Sequence, residues 1–188
     1  PLTTEKKKGH SNELRVEKWK WFSLKEISNV YTGDDLILSM VDDGEIPVAS
    51  HKVENNGVGA MVDKIDNRQL FDCEKTIALA DRGCFHASVQ TEDFYIGTRV
   101  KALEMKCCVS KGVLIFIATI VNQETFKYSY GRNCTAGVEN VRIKLPVKHN
   151  DDGIIFIDDE HTYSDEGYVP DWQFMEDYIK SLPYGDRL

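Results

Sequence analysis

The chain has 188 residues, is 41% apolar and 29% charged, and carries a net charge of -8. That length suits one domain with a real core and is short for two. The longest apolar run, Val113 to Val121, is broken by Thr119 and falls well short of the ~18–20 residues that span a bilayer, so a membrane span is excluded.

Residues 1–15, with Lys6-Lys7-Lys8-Gly9, read as a flexible lead-in without a secretory pattern. Pro1 implies a removed initiator Met or a longer parent chain. Order is expected from Val16 to the end, residues 16–188, as a single domain. Trp19 and Trp21 read as core side chains. Ser23 and Glu26 have capping-box spacing, and Leu24, Ile27 and Val30 then predict a short helix closed by Gly33. From Gly44 the pattern turns to strands: Glu45 to Ser50, Val58 to Val62 after Asn55-Asn56-Gly57, Thr76 to Ala80, Phe85 to Gln90 and Val100 to Met105. Gly112 to Val121 suits a strand by propensity and a buried helix by length and the Ser110 cap; the helix is favoured. Val138 to Val147 reads as a strand. Residues 148–169 form an acidic hairpin or projecting loop, and a final helix starts at Pro170-Asp171 and stops at Pro183. Short strands with few helices predict an α+β fold built on a curled, mixed or antiparallel, partly barrel-like sheet.

The acidity is local. Residues 148–188 hold 3 basic and 11 acidic side chains, and residues 1–147 hold 20 of each. Within the neutral part, 1–33 (7 basic, 4 acidic) and 111–147 (5 basic, 2 acidic) lean basic, which leaves room for a nucleic-acid surface. The five cysteines include no C-x-x-C pair and predict free thiols in a cytoplasmic protein. No glycine-rich cofactor loop, Walker loop, G-x-S-x-G or paired-histidine motif is present. Glu104-x-Lys106 with Asp93 upstream has the spacing of a magnesium-dependent nuclease half-motif, and equally that of a solvated strand face.

An ordered set of segments resembles one family. Trp21-Phe22-Ser23-Leu24-Lys25-Glu26-Ile27, Gly44 to Ser50 with Asn55-Asn56-Gly57, Lys75 to Leu79 with Gly83-Cys84-Phe85, Lys127 to Asn133, and Val141 to Val147 resemble the target-recognition domains of type I restriction-modification specificity subunits. Pro170 to Leu188 is similar to the end of such domains in the type IIB and type IIG branch. The resemblance implies a non-catalytic reader of double-stranded DNA. It would direct methylation and cleavage by a methyltransferase/restriction subunit and pair with a second recognition domain or another copy. It would bind no cofactor itself; S-adenosylmethionine and magnesium belong to partner subunits. A protein-interaction module built on the acidic C-terminal segment is the alternative.

DNA contact needs cations for phosphates and bidentate side chains for bases. Lys127, Tyr128, Tyr130, Arg132 and Asn133 supply such types within seven residues, although a sheet edge with packed tyrosines has the same composition. Lys52, Asn55 and Asn56 form a second candidate loop or an ordinary turn. Arg82, Arg99 and Lys101 complete the candidates, with solvated strand charge as the plainer reading.

Overall fold

The computed structural model describes residues 14–128, 132–134 and 137–187, so most of the expected lead-in lies outside the described residues. Strand β1 (Lys20–Ser23) runs into the one-turn helix α1 (Leu24–Ile27) and then into β2 (Ser28–Thr32). The Glu26 half of the capping box is made: its carboxylate accepts from the Ser23 N–H and, at 2.8 Å, from the Ser23 hydroxyl. The helix stops four residues in. Ser28 turns its hydroxyl back onto the Leu24 carbonyl at 2.7 Å, and the chain becomes extended. Val30 therefore lies in a strand, where a helix was expected. Gly33 is no helix cap: a Cβ there would come within 2.4 Å of the Gly97 carbonyl oxygen, so close backbone approach requires the glycine.

Three sheets follow. Strands β3 (Asp43–Ala49), β4 (Val58–Val62), β5 (Thr76–Ala80), β6 (His86–Val89), β7 (Tyr95–Ile96), β8 (Val100–Met105) and β9 (Arg142–Leu145) complete the set. The central sheet is antiparallel in the order β2-β8-β5-β6. A second sheet, β4-β3-β7, is mixed, since β3 and β7 run parallel. A two-stranded ribbon joins β1 to β9, pairing Trp21 with Lys144 and Phe22 with Ile143. The α+β class with mixed and antiparallel strands is as expected; the strands are shared among three sheets.

Helix α2 (Lys111–Gln123) takes the ambiguous apolar run, capped by Ser110, whose hydroxyl accepts from the Val113 N–H. It covers one face of the central sheet, where Ile77, Leu79 and Leu103 meet Val113, Leu114 and Ile117. The opposite face carries Ala78, Val100 and Ala102 against Phe71, Phe94 and Ile96. The central strands are thus buried on both sides, and β5 is buried at every position. Helix α3 (Trp172–Ser181), capped by Asp171, packs on α2 through Met175, Ile179 and an edge-on Phe116–Tyr178 contact. Between β9 and α3 the acidic segment folds as two consecutive turns. Their bridges pair His149 with Ile155 and Ile157 with Tyr168, and Val147 with Pro170 closes the base.

Candidate nucleic-acid interface

Three loops that are distant in sequence are stitched together beyond the ends of β3, β5 and α2. The first spans 50–57. Asn55 and Asn56 both adopt φ of 52°, a left-handed conformation that asparagine tolerates better than most residues. Ser50 donates through N–H and hydroxyl to the Gly57 carbonyl. Asn56 donates to the Val89 carbonyl at 2.8 Å, and Gln90 donates to the Asn56 carbonyl at 3.0 Å. The loop is thereby tied to the end of β6, with Lys52, Asn55 and Asn56 exposed.

The second loop, 81–85, touches both others. The Cys84 thiol donates to the His51 carbonyl at 3.3 Å, and the Gly83 N–H donates to Asn133 Oδ1 at 3.2 Å. The Asp81 carbonyl accepts from the Cys134 N–H, while the Asp81 N–H donates to the carbonyl of Arg99, itself at φ 67°. Arg82, Arg99, Arg132 and Asn133 are exposed, so candidates separated by up to 81 positions from Lys52 share one contiguous region.

The third loop begins after α2. Lys127 is exposed; it pairs with Glu124 and lies 5.5 Å from the Phe126 ring centre. Such an exposed pair holds the cation weakly and leaves it available to a stronger anion. Tyr128 turns inward. Its ring packs on Phe85 with centroids 4.4 Å apart, and burial together with a Cys134 contact pushes its phenol up to about 12. Tyr128 therefore packs the loop onto the core, as in the packed-tyrosine reading. Tyr130 lies outside the described residues.

Lys101 is a correction. It is buried at 7% exposure, 3.4 Å from an Asp81 oxygen, and donates to the Thr32 hydroxyl at 3.0 Å. It sits on the α2 side of β8, where the sheet is covered, so its ammonium faces Asp81 and not solvent. Among the described residues neither Asp81 carboxylate oxygen accepts a hydrogen bond. The 3.4 Å approach is thus an ion pair without good hydrogen-bond direction.

Sequence reasoning passed over Trp21 by placing it in the core. Trp19 is buried against Phe116, but Trp21 is 42% exposed. The signal was available: adjacent strand residues point to opposite faces, and Phe22 takes the inward one. A groove of about 300 Å³ is lined by Trp21 and Arg142 together with Glu124, Lys127 and Tyr128.

A family model described as "Type I restriction modification DNA specificity domain" matches residues 16–157. The chain belongs to that family. The matched stretch contains every exposed cation of the three loops, while helix α3 follows it. A curated relative, the type II restriction enzyme BgcI specificity subunit S.BcgI of Heyndrickxia coagulans, is 24% identical over 169 residues. Those residues are 88% of this chain and 44% of that subunit. Among solved structures, the type I restriction-modification S subunit of M. genitalium matches 94% of this chain and 41% of its own, at a TM-score of 0.58 and 14% identity. The HsdS subunit of Thermoanaerobacter tengcongensis matches 69% and 33%, at 0.52 and 15%. The chain thus spans less than half the length of these relatives.

In this specificity domain the nuclease half-motif is dispersed. Glu104 is held by Lys75 at 2.7 Å and by the Tyr31 hydroxyl at 3.1 Å. The Lys75 hydrogen bond keeps its carboxyl below the usual range. Lys106 donates to the Lys25 carbonyl, and Asp93 accepts from the Cys73 N–H. Asp72, Cys73 and Asp93 bring one potential ligand atom each within 4.8 Å of one another; burial first, and then Asp93, raises the Cys73 thiol above its ordinary value. Among the described residues no helix is long and apolar enough to cross a membrane.

Proposed function

We propose that this domain reads a DNA sequence, using the surface formed where the 50–57 and 81–85 loops meet Lys127, Tyr128 and residues 132–134. The observation that carries the reading is the convergence of Lys52, Arg82 and Arg132 on loops locked by the Gly83–Asn133 and Cys84–His51 hydrogen bonds, in a member of a DNA specificity family. Cations on hydrogen-bonded loops are pre-positioned, so little ordering entropy is lost on binding. The Gly83 N–H donates to the Asn133 oxygen, which supports a loop-holding role for Asn133, while the exposed Arg132 is available to DNA.

The chain would work without catalysis of its own in the cytoplasm. It would direct a methyltransferase/restriction subunit that binds S-adenosylmethionine and magnesium. Its length, less than half of the relatives', suits pairing with a second recognition domain, either another copy or a neighbour in a longer chain. A nuclease has no comparable support, since Glu104, Lys106 and Asp93 are committed to separate structural partners.

Arg132→Ala tests the assignment. If Arg132 reads a base, affinity for the selected duplex falls ~5- to 100-fold, as for loss of a bidentate contact, and affinity for random DNA changes far less. Equal loss on both duplexes would make Arg132 a phosphate contact and move base reading elsewhere.

A further inference from the structure

The outer face of the β1–β9 ribbon is a basic feature that the three-loop surface leaves unused. Phe22 and Ile143 fill the inner face and are fully buried, so Trp21, Arg142 and Lys144 occupy the outer one. The Arg142 guanidinium lies 5.8 Å and the Lys144 ammonium 5.3 Å from the Trp21 ring centre. Among the described residues neither cation is paired with a carboxylate. This contrasts with Lys75, Lys101, Lys127 and Lys180, each of which has an acidic partner. An aromatic platform restrains a cation without neutralising it and leaves its N–H groups free for an anion.

The patch is continuous with the candidate interface. Trp21 and Arg142 line the same groove as Glu124, Lys127 and Tyr128, and Tyr128 packs on Phe85 next to Cys84, whose thiol donates to the His51 carbonyl. A second groove shares Trp21 and Arg142 with the first and is also lined by Lys25, Glu26, Asp165 and Glu166, so acidic side chains border the patch as well.

We infer that Arg142 and Lys144, presented on Trp21, hold the phosphate backbone of the duplex outside the bases read by the three loops. This rests on the DNA-reading function proposed above and extends it. The loops carry sequence discrimination, and the ribbon supplies sequence-independent affinity and fixes register. The occupant is duplex DNA, because unpaired cations on an exposed sheet face complement a polyanion and because the patch runs into the loops.

The test uses the full chain and its Arg142→Gln/Lys144→Gln double variant, with binding to a random-sequence duplex and to a selected target measured across salt concentration. Two phosphate contacts contribute about 1.8 to the slope of log affinity against log salt, so the variant's slope should be shallower by that amount. Affinity should fall by the same factor on both duplexes, leaving their ratio unchanged. Arg142→Lys, which keeps the charge, should retain the slope. Wild-type DNA complexes should also protect Trp21 from acrylamide quenching, and Trp21→Phe should remove that protection. An unchanged slope in a variant with wild-type circular dichroism overturns the inference, as does a loss confined to the selected target. Either result leaves wild-type sequence preference, and so the reading function, intact. A wild-type chain that binds no DNA even at low salt overturns both.

Discussion

Replacing Lys101 by Met tests how the recognition loops are held. Lys101 and Asp81 are 7% and 2% exposed, and the ammonium lies 3.4 Å from a carboxylate that accepts no hydrogen bond among the described residues. At an effective dielectric of about 20, that separation corresponds to a gross attraction of ~5 kcal/mol. Removing the cation leaves the carboxylate buried without its counter-charge, and loss of one member of a buried pair costs ~3–5 kcal/mol. The loss has a definite place, because the Asp81 backbone joins the 81–85 loop to Arg99 and to Cys134. Lys101→Met should therefore destabilise the chain by ~3–5 kcal/mol in urea unfolding. Asp81→Asn/Lys101→Met should recover at least half of that, because the unpaired charge is gone. Loss below ~1 kcal/mol for the single variant, or a double variant no more stable than the single, would refute the reasoning.

Asn122 on α2 clamps the edge strand by accepting from the Ala87 N–H at 2.7 Å and donating to the Ala87 carbonyl at 2.9 Å; Asn122→Ala should cost ~2–3 kcal/mol in urea unfolding and speed hydrogen exchange at Ala87. Leu114 is fully buried under the central sheet, so Leu114→Ala should cost ~2–5 kcal/mol by the same measurement. Glu104 gives a pH dependence. The Lys75 hydrogen bond lowers its carboxyl from 4.5, so the unfolded chain binds its proton first on acidification. Its contribution is present above pH ~4.5 and is lost as pH falls through the lower folded value. The melting-temperature gap between wild type and Glu104→Gln should be steady from pH ~7 to ~5.5 and close below ~4.5, and a gap independent of pH would contradict the pairing.

Local signals in the sequence were sufficient where structure is local. The Ser110 cap and the length of the run after it gave α2, and Asp171 and the apolar spacing after it gave α3. The helix expected to run on to Val30 failed because period three over Leu24, Ile27 and Val30 is satisfied equally by one turn followed by a strand that partly buries Val30. The deciding contact was tertiary, since β2 pairs with β8 some seventy residues away. Lys101 looked like a solvated strand charge because alternation presumes one wet face, and β8 has none at that position. Trp21 and Arg142 became neighbours only through the β1–β9 pairing, which no local pattern encodes. The site was legible as residue types on three loops. Their junction through Gly83–Asn133 and Cys84–His51 was not.

Selection of the chain against a randomised pool of duplexes measures sequence reading directly. The account predicts enrichment of one defined motif, with the Arg132→Ala variant losing preference at one position of that motif. Recovery of an unenriched pool, with wild type and variant bound equally by every duplex, would contradict it.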